Sequence, residues 1–234
     1  MGGVRTKGIC MEDKRIDSFG ALHDAVEECG KKIIIFRGVK DINYKLVPKI
    51  GRYKKFKELS LEKLEKEERT MLRLFRERAW STVSNVKSSD WEFLALAQHH
   101  GLPTRLLDWT RNPLVVAYFA VEENHPGDSL IYVYHHRTFL NIDRNPDPFK
   151  LRTISKFIPN HITPRITAQT GLFTVHPDPR KPLESKEIGR WVIPNSFRKE
   201  LKGILNKYGI HRASLFPDLD GQSKHIAWLR TDEY

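Results

Sequence analysis

The feature that most constrains the fold is an apolar run from Ile33 to Phe36, followed at once by Arg37 and Gly38. The run is short, rich in β-branched side chains and apolar at every position, which is typical of a strand buried on both faces. Such a strand needs a packing layer on each side. The run is followed by Arg37 at the end of this buried strand. Burial of a charged guanidinium costs free energy unless the group has a partner.

Capped helical segments surround this strand. Ser18 and Gly30 occupy N-cap and C′ positions around an amphipathic stretch, and Asn112-Pro113 pairs an N-cap with proline at the first helical position. With caps included, we expect helices over 18–30, 60–80, 89–98, 112–123 and 195–209, where Asn195 or Ser196 is the cap. A turn at Asp220-Gly221 is expected before a final short helix.

Further strands are expected between these helices, over 104–109, 129–136, 165–175 and 190–194. Because strands and helices are interspersed and no internal repeat occurs, the pattern predicts an α+β fold with a single mixed domain. The domain is expected to span residues 1–234, with its core at about 18–221. Residues 1–17 are expected to form a flexible or capping segment.

The charge balance indicates an anionic partner. The chain has 40 Lys and Arg residues against 29 Asp and Glu residues, a formal net charge of +11. Residues 45–57 contribute six of the positive charges and are expected to form a basic loop leading into a helix. Tyr53 and Phe56 within this segment could stack on nucleobases while the cations contact phosphates. RNA, DNA, a phosphate-rich small molecule and an acidic protein all remain possible partners.

Several classes of site are excluded by the sequence. Cys10 and Cys29 are the only cysteines, too few for a disulfide framework or a cysteine-based zinc site. The pairs His99-His100 and 135–136 are neighbours in sequence, and neighbouring side chains are expected to point apart, so no metal is predicted. No apolar run is long enough to span a membrane and no signal peptide is recognisable, which favours a cytoplasmic protein.

Familiar catalytic and nucleotide-binding motifs are also missing. The sequence contains no G-x-S-x-G nucleophile elbow, no phosphate-binding P-loop and no GxGxxG fingerprint. A bound nucleotide would therefore have to be held by arginines and backbone amides. Arg37 and Arg105 both lie in strands that read as buried, so each needs either an internal carboxylate, such as Asp108 or a glutamate, or an anionic ligand. The sequence leaves both alternatives open.

Three segments together resemble the FRG domain, a family named for a Phe-Arg-Gly motif. They are IIIFRGV at 33–39, WEFLALAQHHGLPTRLLDWTRNPLVVAYFAV at 91–121 and RITAQTGLFTVH at 165–176. The FRG layout in turn resembles the ADP-ribosyltransferase superfamily, which has a split mixed sheet around a cleft for NAD. The resemblance implies that Arg37, with Gly38 beside it, engages the NAD phosphates. It also implies that Thr110 holds a ribose.

The same resemblance suggests the remaining site residues. Gln169 falls where the superfamily has a catalytic glutamate, and it can hydrogen-bond a ribose hydroxyl but carries no charge. Asp108, Glu92, His99 or His100 would then take a proton from the acceptor. Trp109 or Phe173 would flank the nicotinamide, and Arg105 would join Arg37 in binding the dinucleotide.

The resemblance implies an NAD-dependent ADP-ribosyltransferase, with NAD as substrate and no metal. It further implies a toxin of a bacterial antiphage or toxin–antitoxin system, which modifies nucleic acid (RNA favoured) or protein and has an antitoxin or chaperone-like partner. Two alternatives stay open: a non-catalytic sensor that binds a nucleic acid or nucleotide, and a hydrolase that consumes NAD or cleaves RNA.

Overall fold

A single mixed sheet organises the protein. The computed structural model describes residues 11–79, 89–135, 138–159, 167–231 and 234. Within these residues seven strands form one sheet in the order β1-β7-β4-β2-β3-β6-β5, and only the β1–β7 pair is parallel. The strands are β1 Lys14–Arg15, β2 Ile35–Val39, β3 Leu106–Thr110, β4 Ser129–Tyr134, β5 Ser155–Phe157, β6 Gly171–Val175 and β7 Ile188–Ile193.

Helices cover the sheet, and their starts follow the capping residues in the sequence. The Ser18 hydroxyl accepts from Ala21 N at 3.1 Å, and the Asn112 side chain accepts from Leu114 N at 2.9 Å. The described helices are α1 Phe19–Cys29, α2 Lys49–Arg52, α3 Lys54–Lys57, α4 Leu61–Ala79, α5 Asp90–His99, α6 Pro113–Val121, α7 Asn195–Lys207, α8 Arg212–Leu215 and α9 Leu219–Thr231. The predicted α+β class is therefore confirmed.

The largest hydrophobic cluster packs four helices against the middle of the sheet. Residues of α1, α6, α7 and α8 meet β2, β4 and β7 in this cluster, with Phe36, Trp191 and Leu201 among its buried members. Arg198 of α7 lies within the same region, fully buried. Its guanidinium donates to the carbonyl oxygens of Glu123, His125 and Gly127 that follow α6, which ties the end of α6 to α7.

Strand β3 divides its side chains between two further clusters. Leu106 packs with α5 and β6 in one cluster, whereas Leu107 and Trp109 pack in another cluster with Leu172 of β6. This alternation places Asp108 and Thr110 on the same face of β3 as Leu106. Asp108 belongs to neither cluster. Its side chain lines a surface to which residues of β2 and α5 also contribute.

The sheet opens between β2 and β3. These two central strands are paired at a single position, Phe36 with Thr110, whereas β2 and β4 are paired at five. Beyond Phe36 the chain of β2 separates from β3 and instead runs close under α6. Arg37 follows Phe36 at this opening and lines the cleft there.

Three local predictions are wrong. In the segment 165–175, residues 165 and 166 lie outside the described part, Thr167 and Ala168 are helical, and Gln169 and Thr170 form a turn before β6 begins at Gly171. Thr170 has a φ of 49°, in the left-handed region that ends a helical turn. The cap of α7 is Pro194, not Asn195 or Ser196.

The third difference is at Asp220-Gly221, which lies in the first turn of α9 rather than in a turn before it. The glycine is explained by a close approach: a Cβ at Gly221 would lie 1.9 Å from the carbonyl oxygen of Phe216. Two other segments are more ordered than expected. Residues 45–57 contain the two short helices α2 and α3, and Lys14–Arg15 adds an edge strand to the sheet.

The described helices include none that is both long enough and apolar enough to cross a bilayer.

Gly38 provides a test of the contact between β2 and α6. A Cβ at this position would lie 2.4 Å from Val116 O and 2.7 Å from Ala120 N, both backbone atoms that cannot rotate away. We expect Gly38→Ala to lower the free energy of unfolding by about 3 kcal/mol, measured by urea denaturation. The control is Gly203→Ala in α7, where the added methyl meets nothing within 4 Å and should stabilise the protein by about 0.5–1 kcal/mol. Equal stability of the two variants would contradict the close approach.

Candidate functional site

A cleft of about 840 Å³ lies at the opening of the sheet. Its walls come from the end of β2, the segment 44–52, the end of α5, strand β3 and the last turn of α6. Eight of the eleven residues that the sequence suggests for the site line it: Arg37, Gly38, His99, His100, Asp108, Trp109, Thr110 and Gln169. The structure therefore brings these eight residues together in one cleft.

Arg105 does not face the cleft. Its guanidinium is buried against Glu68 of α4, with Nε 3.1 Å from Oε1 and a terminal nitrogen 2.5 Å from Oε2, and it stacks over the ring of Phe149. Burial raises the pKa of Glu68, and the two hydrogen bonds from Arg105 oppose that rise. Of the two alternatives for Arg105, the structure contains the internal carboxylate. Arg105 is therefore not placed to bind a dinucleotide in the cleft, which corrects the role suggested from the sequence.

Phe173 is also placed away from the cleft. Its ring stacks on Phe157 in the cluster formed with α5, because Phe173 shares a face of β6 with Val175. Trp109 does contribute to the cleft wall, yet only 3% of the residue is exposed. Its indole N–H donates to the Thr174 hydroxyl at 2.8 Å, so the ring supports the sheet and has little surface to offer a ligand.

Glu92, the other carboxylate considered as a base, is buried in the first turn of α5 and does not line the cleft. The carboxylates that do line it are Asp108, Glu122 and Glu123. Glu122 is paired with Arg212, and Glu123 with Lys40, both across the end of α6. Asp108 is the one that lies on β3, where it contacts Arg37 and Gln98, two further residues of the cleft.

Arg37 and Asp108 bridge the opening between the two strands. One terminal nitrogen of Arg37 donates to the backbone carbonyl of Asp108 at 2.8 Å and lies 3.4 Å from its carboxylate. The Arg37 side chain is 17% exposed and that of Asp108 is 56% exposed, so the pair lies at the floor of the cleft and still meets solvent. The shorter bond is to the backbone, which leaves the charge of Arg37 only partly neutralised.

A second arginine that the sequence analysis did not single out faces Arg37. Arg52 lines the cleft, and its Nε donates to Val47 O at 2.9 Å, an anchor that holds the guanidinium in place. Burial is the main cause that lowers the pKa of Arg52, the nearby charge of Arg37 lowers it further, and Asp108 opposes both. The signal was present in the basic segment 45–57, but only the tertiary structure shows which of its cations turns inward.

The rest of that segment is divided between the cleft and the surface. Lys45 and Lys49 line the cleft, and Lys49 donates to Gly101 O at 2.8 Å. Phe56 was expected to stack on nucleobases, but it is 8% exposed and packs against Ile50 and Leu64, so this prediction is wrong. Tyr53 is exposed and remains available for such stacking.

Thr110 and Gln169 support each other. The Thr110 hydroxyl donates to Gln169 O at 2.7 Å and accepts from Asn112 N at 3.0 Å, and the Gln169 side-chain amide donates to Leu215 O at 3.0 Å. The single proton of the hydroxyl is thus already used. These contacts fix the turn before β6 and the start of α6, and they leave the Oε1 atom of Gln169 as the acceptor for a ligand hydroxyl.

His99 and His100 are at the end of α5. The prediction that neighbouring histidines point apart is wrong here, because His100 is the C-cap residue and the two rings meet edge to face at 4.9 Å. His136 lies outside the described residues. Within the described ranges no three side chains from His, Cys, Asp and Glu come together as metal ligands.

Gln98 is a cleft residue that the sequence analysis missed. Its side-chain amide donates to Asp108 Oδ2 at 3.0 Å, and its oxygen accepts from the Thr104 hydroxyl at 2.7 Å. The sequence signal that could have identified Gln98 is its position next to His99 and His100, in the last turn of α5. The contact with Asp108 depends on how α5 packs on β3, which no local pattern contains.

Together the fold and the cleft define a mixed α/β domain with an opening in its sheet, where Arg37 of β2 and Arg52 of α2 line one cleft. Residues 32–129 match the family model described as the FRG domain. All the cleft residues except Gln169 fall within the matched range. No curated protein and no solved structure matches the chain.

The buried pair of Arg105 and Glu68 yields a stability prediction. Glu68→Gln should lower the free energy of unfolding by about 3–5 kcal/mol, because it leaves a guanidinium buried without its counter-charge. The matched control is Glu77→Gln, which removes the carboxylate of the exposed pair with Arg73 and should change stability by less than about 1 kcal/mol. Thermal and urea unfolding of both variants check this, and a small loss for Glu68→Gln would show that Arg105 finds another partner.

His176 predicts a pH dependence. Burial, together with the charges of Arg37 and Arg105, lowers the pKa of His176 to about 3, and its Nε2 lies 3.0 Å from the Thr174 hydroxyl. The unfolded chain takes up this proton near pH 6.5 but the folded one does not, so stability falls as the pH falls from 6.5 towards 3.

Between pH 7 and pH 5 the wild type should lose about 2 kcal/mol more of its unfolding free energy than His176→Asn loses. Urea titrations at the two pH values measure this difference, and His176→Asn removes the titrating group while keeping a polar side chain. Parallel losses in the two proteins would show that other groups account for the acid sensitivity.

Proposed function

We propose that the protein is an NAD-dependent ADP-ribosyltransferase whose dinucleotide occupies the cleft at the opening of the sheet. The observation that carries the proposal is the pair of guanidiniums of Arg37 and Arg52, which line one cleft together with Asp108. Two cations held this close repel each other, so an anion between them would be stabilised. The planar forks of two arginines suit the oxygens of a diphosphate.

The size and composition of the cleft support a dinucleotide. Its volume of about 840 Å³ is in the range of cofactor-sized pockets, which extend to about 1,000 Å³. Lys45 and Lys49 add positive charge on the side of Arg52. The apolar side chains of Val116 and Phe119 line the part under α6, where a ribose or a base could pack. Among diphosphates, NAD is favoured by the resemblance of the Arg37 motif to that superfamily.

The proposed reaction uses few protein groups. The glycosidic bond from the ribose to nicotinamide breaks and nicotinamide leaves with the bonding electrons. A nucleophilic atom of the acceptor forms the new bond to the ribose carbon, and its proton passes to Asp108. Gln169 Oε1 would accept a hydrogen bond from a ribose hydroxyl. His99 and His100, which also line the cleft, are the alternative proton acceptors.

RNA is the acceptor that the charge distribution favours. Lys54, Lys55 and Lys57 continue the basic segment beyond the cleft, beside the exposed ring of Tyr53. This combination offers phosphate contacts and a stacking surface next to the proposed site. A protein acceptor would need a surface of a different kind. The roles as a toxin and in antiphage defence, and a partner that restrains the enzyme, are proposals that rest on the resemblance alone.

A second candidate is a nucleotide-binding sensor without catalysis. It is favoured by the contacts of Thr110 and Gln169, because the one hydroxyl proton of Thr110 and one of the two amide protons of Gln169 are used within the fold. It is also favoured by the absence of a negative charge at Gln169. Both candidates predict binding of NAD, and only the transferase predicts that nicotinamide is released.

Arg52 is the sharper probe of the site, because Arg37 also holds β2 to β3 and its replacement would disturb the sheet. We expect Arg52→Ala to weaken binding of NAD and ADP-ribose about 10-fold or more in calorimetric titrations, since a hydrogen bond to a charged group contributes about 1.5–3 kcal/mol. Nicotinamide riboside, which has no phosphate, should bind the variant and the wild type alike. The matched control is Arg73→Ala on the exposed face of α4.

Turnover is followed with NAD labelled in its adenylate, after which RNA, DNA, protein and free ADP-ribose are separated. Label in RNA supports the proposal with its favoured acceptor, and label in protein supports the transferase but replaces the acceptor. Free ADP-ribose with nicotinamide would identify a hydrolase. Binding without nicotinamide release would support the sensor, and folded protein that does not bind NAD would refute both candidates.

A further inference from the structure

Three polar side chains form a hydrogen-bonded chain that ends on Asp108. The backbone N–H of Leu106 donates to the Thr104 hydroxyl at 3.0 Å, and this hydroxyl donates to Gln98 Oε1 at 2.7 Å. The Nε2 of Gln98 then donates to Asp108 Oδ2 at 3.0 Å. Thr104 is 2% exposed, so water does not compete for its hydroxyl. The chain therefore runs from the backbone of β3 to the carboxylate of Asp108 in the cleft.

The direction of this chain is fixed by the number of protons. The carboxylate of Asp108 can only accept, so the NH₂ group of Gln98 faces Asp108 and its side-chain oxygen faces Thr104. The Thr104 hydroxyl, which accepts from Leu106 N, then donates its one proton to that oxygen. If the amide were reversed, its oxygen would meet the carboxylate oxygen at the same distance, and two acceptors repel each other.

The result is an asymmetric environment for the two oxygens of Asp108. Oδ2 receives the amide of Gln98 and lies 3.4 Å from the guanidinium of Arg37. Within the part of the chain that the structure describes, no hydrogen bond reaches Oδ1. Rotation of the carboxyl group about its own bond would break the contact with Gln98. One oxygen is therefore held by the protein, and the other can accept a proton in a fixed orientation.

We propose that Gln98 is a positioning residue that orients Asp108 for proton abstraction, and that Thr104 fixes the orientation of the Gln98 amide. This inference rests on the proposed function and adds to it the residues that control the base. Gln98 and Thr104 do not touch the reacting atoms. Their effect is on the fraction of time that Oδ1 of Asp108 is correctly oriented, and so on kcat and not on the affinity for NAD.

The test uses variants that separate shape from hydrogen bonding. Thr104→Val keeps the side-chain shape and removes the hydroxyl, Thr104→Ser keeps the hydroxyl, and Gln98→Ala removes the amide. We expect kcat for nicotinamide release to fall about 10-fold in Thr104→Val and Gln98→Ala, a part of the 100-fold or more that a general base contributes. KM for NAD should stay within about twofold, because uniform binding is unchanged. Thr104→Ser should retain the wild-type rate.

A double-mutant cycle distinguishes positioning from a general loss of structure. In the background of Asp108→Asn, Gln98→Ala should cause no further loss of kcat, because the group that it positions has been removed. An equal loss in both backgrounds would overturn the inference. So would a rise in KM at unchanged kcat, or a wild-type rate in Thr104→Val. Thermal unfolding of each variant shows whether a low rate reflects loss of the fold, and Thr104→Ser then provides the hydroxyl-retaining comparison.

Failure of the proposed function has a different signature. If the folded wild type turns over no NAD, both the transferase and this inference are overturned. If the wild type is active and the rates of Gln98→Ala and Thr104→Val equal its own, the inference alone is overturned and the transferase stands.

Discussion

The single backbone pairing between β2 and β3 is the constraint on which the candidate site depends. Strand β2 pairs with β4 along its length, but it meets β3 only at Phe36 and Thr110. Past this point Gly38 has no side chain, so the backbone of α6 packs directly against the backbone of β2. The side chain of Arg37 then bridges the gap to the backbone of Asp108. An opening of this kind exposes the ends of two strands in one cleft.

The polar residues near the opening divide into those that hold the fold and those that face the cleft. Arg105 and Arg198 are fully buried cations that bind an internal carboxylate and a set of helix-end carbonyls, respectively. Arg37 and Arg52 carry the same charge but line the cleft, where Arg37 lies 3.4 Å from the partly exposed carboxylate of Asp108 and Arg52 donates to Val47 O. Burial of a cation is costly in every case. The difference is that Arg105 and Arg198 are enclosed with their partners inside the fold, whereas Arg37 and Arg52 line a cleft.

Much of the site could be predicted because its residues lie close together in the sequence. The segment from His99 to Thr110 contains the end of α5 and the whole of β3, so its cleft residues needed only the correct helix and strand to be recognised. Gln98 and Arg52 were missed because their contacts are made between elements. Phe173 and Phe56 were misjudged for the same reason, since an aromatic ring can serve a core or a ligand equally well.

The sequence by itself determined the helices with clear caps and the buried central strand. Each of these depends on local capping, periodicity or an apolar run, which short segments contain. The tertiary structure alone decided that Arg105 pairs with Glu68, that Arg52 turns towards Arg37 and that Gln98 holds Asp108. These contacts join residues far apart in the chain or on different elements. From the sequence alone, each of these polar side chains could contact water, a ligand or another residue. The packing of the elements decides which of these it contacts.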